Sequence, residues 1–188
     1  MKLEELAIHV IEAAEALGVD FMAVGAIAAG AYGIPRSTRD VDLLVSVKLP
    51  GAVDALVDQL GPHVQFDPQV VFDTITRGRR HVGNSRGTPP FKVELFETFD
   101  DAFVYSEFER RQQVFVPMLN RTTWLPTPED VIVQKLRWGR VKDLEDARDV
   151  LAVQGPESLD MAYIEGWCTT HGTVERLLAA LAGIPPMD

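Results

Sequence analysis

From Asp40 the chain reads Asp-Val-Asp-Leu-Leu-Val-Ser-Val, an apolar run rich in β-branched residues that is broken twice by aspartate at i, i+2 spacing. On a strand that spacing turns both carboxylates to one face and sends Val41, Leu43 and Val45 to the other. Such a strand needs a core on one side. On the other it needs either solvent or a cation, because two like charges side by side are unfavourable unless neutralised. Oxygen ligands at this separation suit Mg²⁺, which keeps several waters and bridges carboxylates to nucleotide phosphates. Other acid-x-acid pairs, Glu107/Glu109 and Asp143/Glu145, sit in polar or helical surroundings, so the setting of Asp40 and Asp42 is what distinguishes them.

The flanking sequence supplies the elements around this strand. Leu3, Leu6, Val10, Ile11, Ala14 and Leu17 recur at helical spacing and Gly18 closes the pattern. Val19 to Val24 predicts a strand, Gly25 a tight turn, and Ala26 to Tyr32 a short helix. Ala52, Leu56, Val57 and Leu60 predict a second helix, and a hairpin is expected near Val114 to Met118. Val70 to Ile75 and Phe91 to Phe96 read as two strands joined by a long polar loop, TRGRRHVGNSRGTPP. At Thr127-Pro128-Glu129-Asp130 the pattern changes to helix alone, with a capping threonine, a first-turn proline and acids that suit the helix dipole. Helices are expected over 128–139, 142–154, 158–171 and 173–182. The predicted fold class is α/β, a mixed-sheet core over 1–125 flanked by helices and followed by a C-terminal helical region over 126–188.

Composition narrows the function classes. The 188 residues are 46% hydrophobic with a net charge of −10, which fits a compact chain without general affinity for nucleic-acid backbone. Cys168 is the one cysteine, so disulfide frameworks and CxxC sites are excluded. The start MKLEEL lacks the basic and apolar segments of an export signal, and the longest weakly polar stretch, Ala23 to Ile34, is shorter than the roughly 20 residues of a membrane span. A cytoplasmic protein without a membrane partner is expected. The histidines share no ligand spacing, and Ser37 and Ser85 have no recognisable base partner.

Three further features bear on chemistry. Glu94 lies in FKVELF, where Val93 and Leu95 would face the core and Glu94 the opposite side; a strand beside that of Asp40 and Asp42 would complete a carboxylate cluster for one or two metals. The Gly25 turn places a helix N-terminus directly after a strand, either as a phosphate cradle or as a tight connection only. From Thr74 to Val93 there is no acid, while Arg77, Arg79, Arg80, Arg86 and Lys92 gather there, in a loop suited either to anionic substrate or to solubility.

These residues resemble the DNA polymerase β-like nucleotidyltransferase superfamily. Val24-Gly25-Ala26, thirteen residues, Asp40-Val41-Asp42 and the later Val93-Glu94-Leu95 match its signature, and Gly33 to Asp40, GIPRSTRD, is similar to the form found in AbiEii-type toxins. Pro128-Glu129-Asp130, Lys135-Leu136, Arg140, Lys142, Asp143 and Asp146 match the helical region that follows, so the resemblance covers about Ala23 to Leu151. It implies that Asp40, Asp42 and Glu94 are catalytic, hold Mg²⁺ and activate an acceptor hydroxyl for attack on the α-phosphate of an NTP. It further implies that Gly25, Ala26, Arg36, Thr38, Lys135 and Asp143 surround the nucleotide, with Arg36 and Lys135 facing the triphosphate and Asp143 and Asp146 orienting Lys135 or the acceptor. The acceptor expected is tRNA or protein near Arg77, Arg79, Arg80 and Arg86, with a cognate antitoxin as partner. Ala26 stands where the family has Gly or Ser and offers only its backbone N–H, which leaves a nucleotide-binding protein without turnover as one alternative. A small-molecule nucleotidyltransferase of the aminoglycoside-modifying kind is the other, since an acidic surface attracts a cationic acceptor.

Overall fold

A computed structural model describes residues 1–73 and 78–185. Helix α1 (Leu3–Ala16) buries Leu3, Leu6, Val10, Ile11 and Ala14, the apolar stripe of the sequence. Strand β1 (Phe21–Ala23), helix α2 (Gly25–Tyr32), strand β2 (Asp40–Val45) and helix α3 (Ala52–Leu60) follow in the expected order. Then come β3 (Val64–Phe66), β4 (Val71–Phe72), β5 (Arg79–Ser85), β6 (Lys92–Glu97), α4 (Ala102–Glu109) and the hairpin β7 (Gln112–Val116) and β8 (Arg121–Leu125). The chain ends in α5 (Pro128–Trp138), α6 (Val141–Gln154), α7 (Met161–His171) and α8 (Val174–Ala182), in the positions that capping residues and glycines predict. Thr127 caps α5, its Oγ1 accepting from the Asp130 N–H at 3.3 Å.

The main sheet has the order β1-β2-β6-β5-β3, with β4 added to β5. It is mixed: β2 and β6 are parallel, and the other pairings are antiparallel. Val41, Leu43 and Val45 are fully buried in a core that also takes in α1, α2, α3 and the C-terminal helices. Each such side chain contributes roughly 1.5–3 kcal/mol of burial, which fixes the strand's facing because a one-residue slip would put the aspartates inside. On the opposite face Met22 and Leu44 pack against Val104 and Phe108 of α4 in a smaller cluster.

The sequence reading fails at the segment taken for a polar loop. Residues 79–85 form β5, a strand inside the sheet between β6 and β3, and the described part of the expected strand at Val70 contains β4, which pairs with β5. Polar residues suit this strand because alternate ones, Arg80 and Asn84, sit in register with Phe96 and Lys92 beside the carboxylates. Gly83 is required for a different reason. A Cβ there would stand 2.6 Å from Val64 and 2.9 Å from Phe66, so the glycine lets β3 close over β5. The remainder of the expected strand and the start of the loop, Thr74 to Arg77, lie outside the described residues. Strand β3 and helix α4 carry weak sequence signals; α4 is capped by Asp101, which accepts from the Phe103 and Val104 N–H groups at 3.0 and 3.1 Å. Among the described residues no helix is long and apolar enough to cross a membrane.

Candidate active site

The parallel pairing of β2 with β6 sets the geometry. Its register places Asp42 opposite Glu94, Asp40 opposite Lys92 and Leu44 opposite Phe96, so the expected third acid does stand next to the Asp40–Asp42 pair. Turn geometry adds Gly25. The Val24 N–H donates to the Asp42 carbonyl at 2.9 Å, and Gly25 then takes φ +63°, a conformation that favours glycine. A Cβ at Gly25 would overlap Asp42 Oδ2, which ties the glycine of the signature to the carboxylate as well as to the turn.

Asp42 is the most perturbed of these acids. Burial first, then the charges of Glu94 and Asp40, push its carboxyl up to about 7, with Lys92 and Lys135 acting in the opposite sense. Its Oδ1 is buried and has no hydrogen-bond partner among the described residues. Glu94 is held instead by cations: Lys92 Nζ lies 2.8 Å from Oε2, and Arg80 Nε 3.4 Å from Oε1. Lys92 also reaches Asp40 at 3.7 Å, and Arg80 reaches Asp73 at 3.7 Å. Arg140, Lys142, Phe96 and Trp138 close the rest of this cleft. Among the described residues no three acidic, imidazole or thiol groups are gathered as a ready-made metal site. The donor chemistry nonetheless fits a hard divalent cation: the carboxylates of Asp42 and Glu94 share a register position and one oxygen is orphaned, while Glu94 has to exchange its lysine and arginine for the metal.

The remaining expected ligands are placed with more variety. Lys135 is buried and donates to Asp146 at 2.6 Å and to Asp143 at 3.2 Å. Arg36 pairs with Asp146 through two hydrogen bonds of 2.6 and 3.0 Å, and Arg140 pairs with Asp143. The result is a chain of alternating charge, Arg36–Asp146–Lys135–Asp143–Arg140, that ties the segment before β2 to α5 and α6. Asp143 and Asp146 therefore orient Lys135, and both Lys135 and Arg36 already have acidic partners. Thr38 acts locally: its Oγ1 accepts from the Asp40 N–H at 3.2 Å and shapes the entry to β2. Ala26 opens the first turn of α2 but lines a separate depression with Pro35, Arg36 and Pro117.

The basic segment is likewise engaged. Arg79 faces Glu97 at 3.7 Å, Arg80 faces the site acids, and Arg86 donates to the Gly61 carbonyl; Arg77 lies outside the described residues. Two acids set in polar or helical surroundings in the sequence prove buried. Asp143 is fully enclosed by its ion pairs, and Glu107 is 4% exposed on the inner face of α4. The signal for Glu107 was its place among Phe103, Val104 and Phe108 at helical spacing. Phe96, Trp138 and Arg140 also line the cleft without having been singled out for it.

No family profile and no curated protein matches the chain. Solved structures do. The solution structure of the antibiotic-resistance factor ANT(2'')-Ia superposes with a TM-score of 0.62 at 13% identity, covering 94% of each chain. The crystal structure of ANT(2'')-Ia in complex with adenylyl-2''-tobramycin gives 0.57 at 16% identity, covering 92% of this chain and 98% of that one. An antigenic nucleotidyltransferase-like protein from Paracoccidioides brasiliensis gives 0.51 at 18% identity over 100% of this chain and 96% of its own. The mixed α/β architecture of this chain is similar to the nucleotidyltransferase fold.

Proposed function

We propose that this chain is a divalent-cation-dependent nucleotidyltransferase that moves NMP from an NTP to a hydroxyl acceptor. The observation that carries the reading is the register pairing of Asp42 with Glu94 beside a glycine whose missing side chain leaves room for the Asp42 carboxylate. A bound Mg²⁺ on Asp40, Asp42 and Glu94 would supply charge neutralisation at the reacting phosphate. Lys92 and Arg80, once released from Glu94, face the phosphates, and Arg140 and Lys142 lie on the same cleft wall. A carboxylate of the cluster accepts the proton of the acceptor hydroxyl as its oxygen bonds to the α-phosphorus. The bond from that phosphorus to the bridging oxygen breaks and pyrophosphate leaves. Lys135, fixed by Asp143 and Asp146, lies where its charge acts on Asp42.

The acceptor of this reading is a hydroxyl of tRNA or protein, with a cognate antitoxin as the partner that an AbiEii-like toxin would need. A second reading, transfer to a small cationic acceptor, is favoured by the net charge of −10 and by the internal engagement of Arg79, Arg80 and Arg86. The test is to incubate the protein and an Asp40→Ala/Asp42→Ala variant with Mg²⁺ and each α-labelled NTP, using separate pools of tRNA, cell protein and aminoglycosides. Label transferred by the native protein alone supports the enzyme and names the acceptor class. No transfer from any NTP to any pool would leave a nucleotide-binding protein as the better reading.

A further inference from the structure

A fourth acid shares the cleft with Asp40, Asp42 and Glu94. Asp73 directly follows β4, lines the same cleft and has a side chain only 15% exposed. Its N–H donates to the Gly78 carbonyl at 2.8 Å, which ties its backbone to the residue before β5. Strand register brings it to the site. Val71 of β4 lies opposite Arg80 of β5, and Arg80 and Val82 lie opposite Phe96 and Glu94 of β6. Neighbouring strands in the order β4, β5, β6 and β2 therefore bring Asp73, Arg80, Glu94 and Asp42 into one row.

Arg80 stands between two acids and is bound firmly to neither. Its Nη1 lies 3.7 Å from Asp73 Oδ2 and its Nε 3.4 Å from Glu94 Oε1, both longer than a well-formed N–H···O bond. Nε is buried and makes no hydrogen bond among the described residues, although buried N–H groups are normally satisfied. The guanidinium sits over the Phe96 ring, 5.8 Å from its centroid, a support that ties it to neither carboxylate. A displacement of about 1 Å toward either acid completes a charge-assisted bond with it. Lys92 is placed differently. It lies 2.8 Å from Glu94 and 3.7 Å from Asp40, so both of its acids belong to the proposed metal cluster, whereas Arg80 also has an acid outside that cluster.

Glu94 can give Oε1 to a divalent cation only when Arg80 stands off, because two cations at one oxygen repel each other. We propose that Asp73 is a positioning residue of this site: it receives Arg80 when Glu94 takes a divalent cation, and so favours loading of the metal. The proposal rests on the reading of the cleft as a metal-dependent transferase site, and it adds a residue outside the signature of Gly25, Asp40, Asp42 and Glu94. A guanidinium held to Asp73 through Nη1 keeps Nε and Nη2 free to turn toward the cleft, so Arg80 still serves phosphate. Removal of the Asp73 charge leaves Arg80 drawn to Glu94 and makes the metal compete harder. Removal of Arg80 frees Glu94 and takes away the cation through which Asp73 acts.

Mn²⁺ binding tests this without nucleotide or turnover. Free Mn²⁺ is followed by EPR in titrations of the full chain, Asp73→Asn, Arg80→Met and the double variant. The Asp40→Ala/Asp42→Ala variant marks binding outside the cleft. The cycle is repeated with Arg80→Gln, and circular dichroism checks the fold of each variant. Asp73→Asn is expected to weaken Mn²⁺ binding roughly fivefold and Arg80→Met to strengthen it by a similar factor, the scale of one partly exposed ion pair. In the Arg80→Met background Asp73→Asn should change the affinity by less than about twofold, because its partner is gone. An undiminished loss in that background would make Asp73 a direct ligand or a through-space charge and overturn the proposal. No loss in Asp73→Asn alone, or no Mn²⁺ binding that depends on Asp40 and Asp42, would overturn it too. The expected cycle in a protein that transfers no NMP would refute the transferase reading and leave the role of Asp73 standing. NMP transfer by a protein in which Asp73→Asn weakens Mn²⁺ binding equally in both backgrounds would do the reverse.

Discussion

Replacing Gly25 with alanine separates the cost of a turn from the cost of a blocked carboxylate. Gly25 has φ +63°, and so does Gly18 at the end of α1, where a Cβ would meet nothing within 4 Å. An L-residue in this conformation costs roughly 1–2 kcal/mol, offset by about 0.4–1 kcal/mol from a less flexible unfolded chain. Gly18→Ala should therefore lose about 1 kcal/mol, or roughly 2–4 °C in Tm for a chain of this size. Gly25→Ala carries the same backbone term and in addition forces the buried Asp42 carboxylate out of its place, an overpacking cost of roughly 1–3 kcal/mol. Urea denaturation of both variants gives the difference directly, and the rate of Mg²⁺-dependent NMP transfer should fall far more for Gly25→Ala than for Gly18→Ala. If the two variants match in stability to within a few tenths of a kcal/mol and both transfer NMP at the native rate, the coupling of Gly25 to Asp42 is refuted.

Other perturbations probe the charges behind the site. Lys135→Met leaves Asp143 and Asp146 buried with only Arg140 and Arg36 as partners, and should cost about 3 kcal/mol in chemical denaturation. Burial would raise the Asp146 carboxyl, but hydrogen bonds from Arg36 and Lys135 outweigh it and hold Asp146 below its usual range. The stability this supplies is complete above the unfolded carboxylate value and is lost as pH falls through the lower folded value, so Arg36→Met should flatten the acid limb of a stability–pH curve. Glu107 has the opposite sign: its folded value is raised, so native stability declines as pH climbs from the unfolded value toward the folded one. Glu107→Gln should thus gain stability over the native chain as pH climbs above the unfolded carboxylate value of about 4, and a constant difference would refute a raised Glu107.

What the sequence discloses follows the strength of local contrast. Asp40, Asp42 and Glu94 are legible because each interrupts an apolar run, and α5 to α8 because Thr127, Pro128 and the glycines punctuate them. Strand β5 hides because its arginines face Glu94 and Glu97 of β6 on one side and its glycine faces a closely packed β3 on the other, so the residues that suit its place are polar or small. Glu107 hides for a related reason: a carboxyl on a helix reads as solvent-facing until α4 is seen packed against Leu44 and the inner wall of the sheet. The pairing of Arg36 with Asp146 joins positions 110 residues apart, and no local pattern encodes it. The motif names the residues, whereas tertiary packing determines which charges face each other.

That pairing makes the cleft resemble an ion exchanger more than an empty charged hole. Glu94 has Lys92 and Arg80 at its oxygens, and Asp143 and Asp146 have Lys135, Arg140 and Arg36. Under the proposed function, Glu94 would release its ammonium and guanidinium to hold a divalent cation, and Lys92 and Arg80 would then be counter-ions for phosphate. Loading of metal and loading of nucleotide would then assist one another, each completing the swap that the other begins. Because protein charges stand in for much of the mobile salt, nucleotide affinity should vary with ionic strength less steeply than in a cleft lined by unpaired arginines.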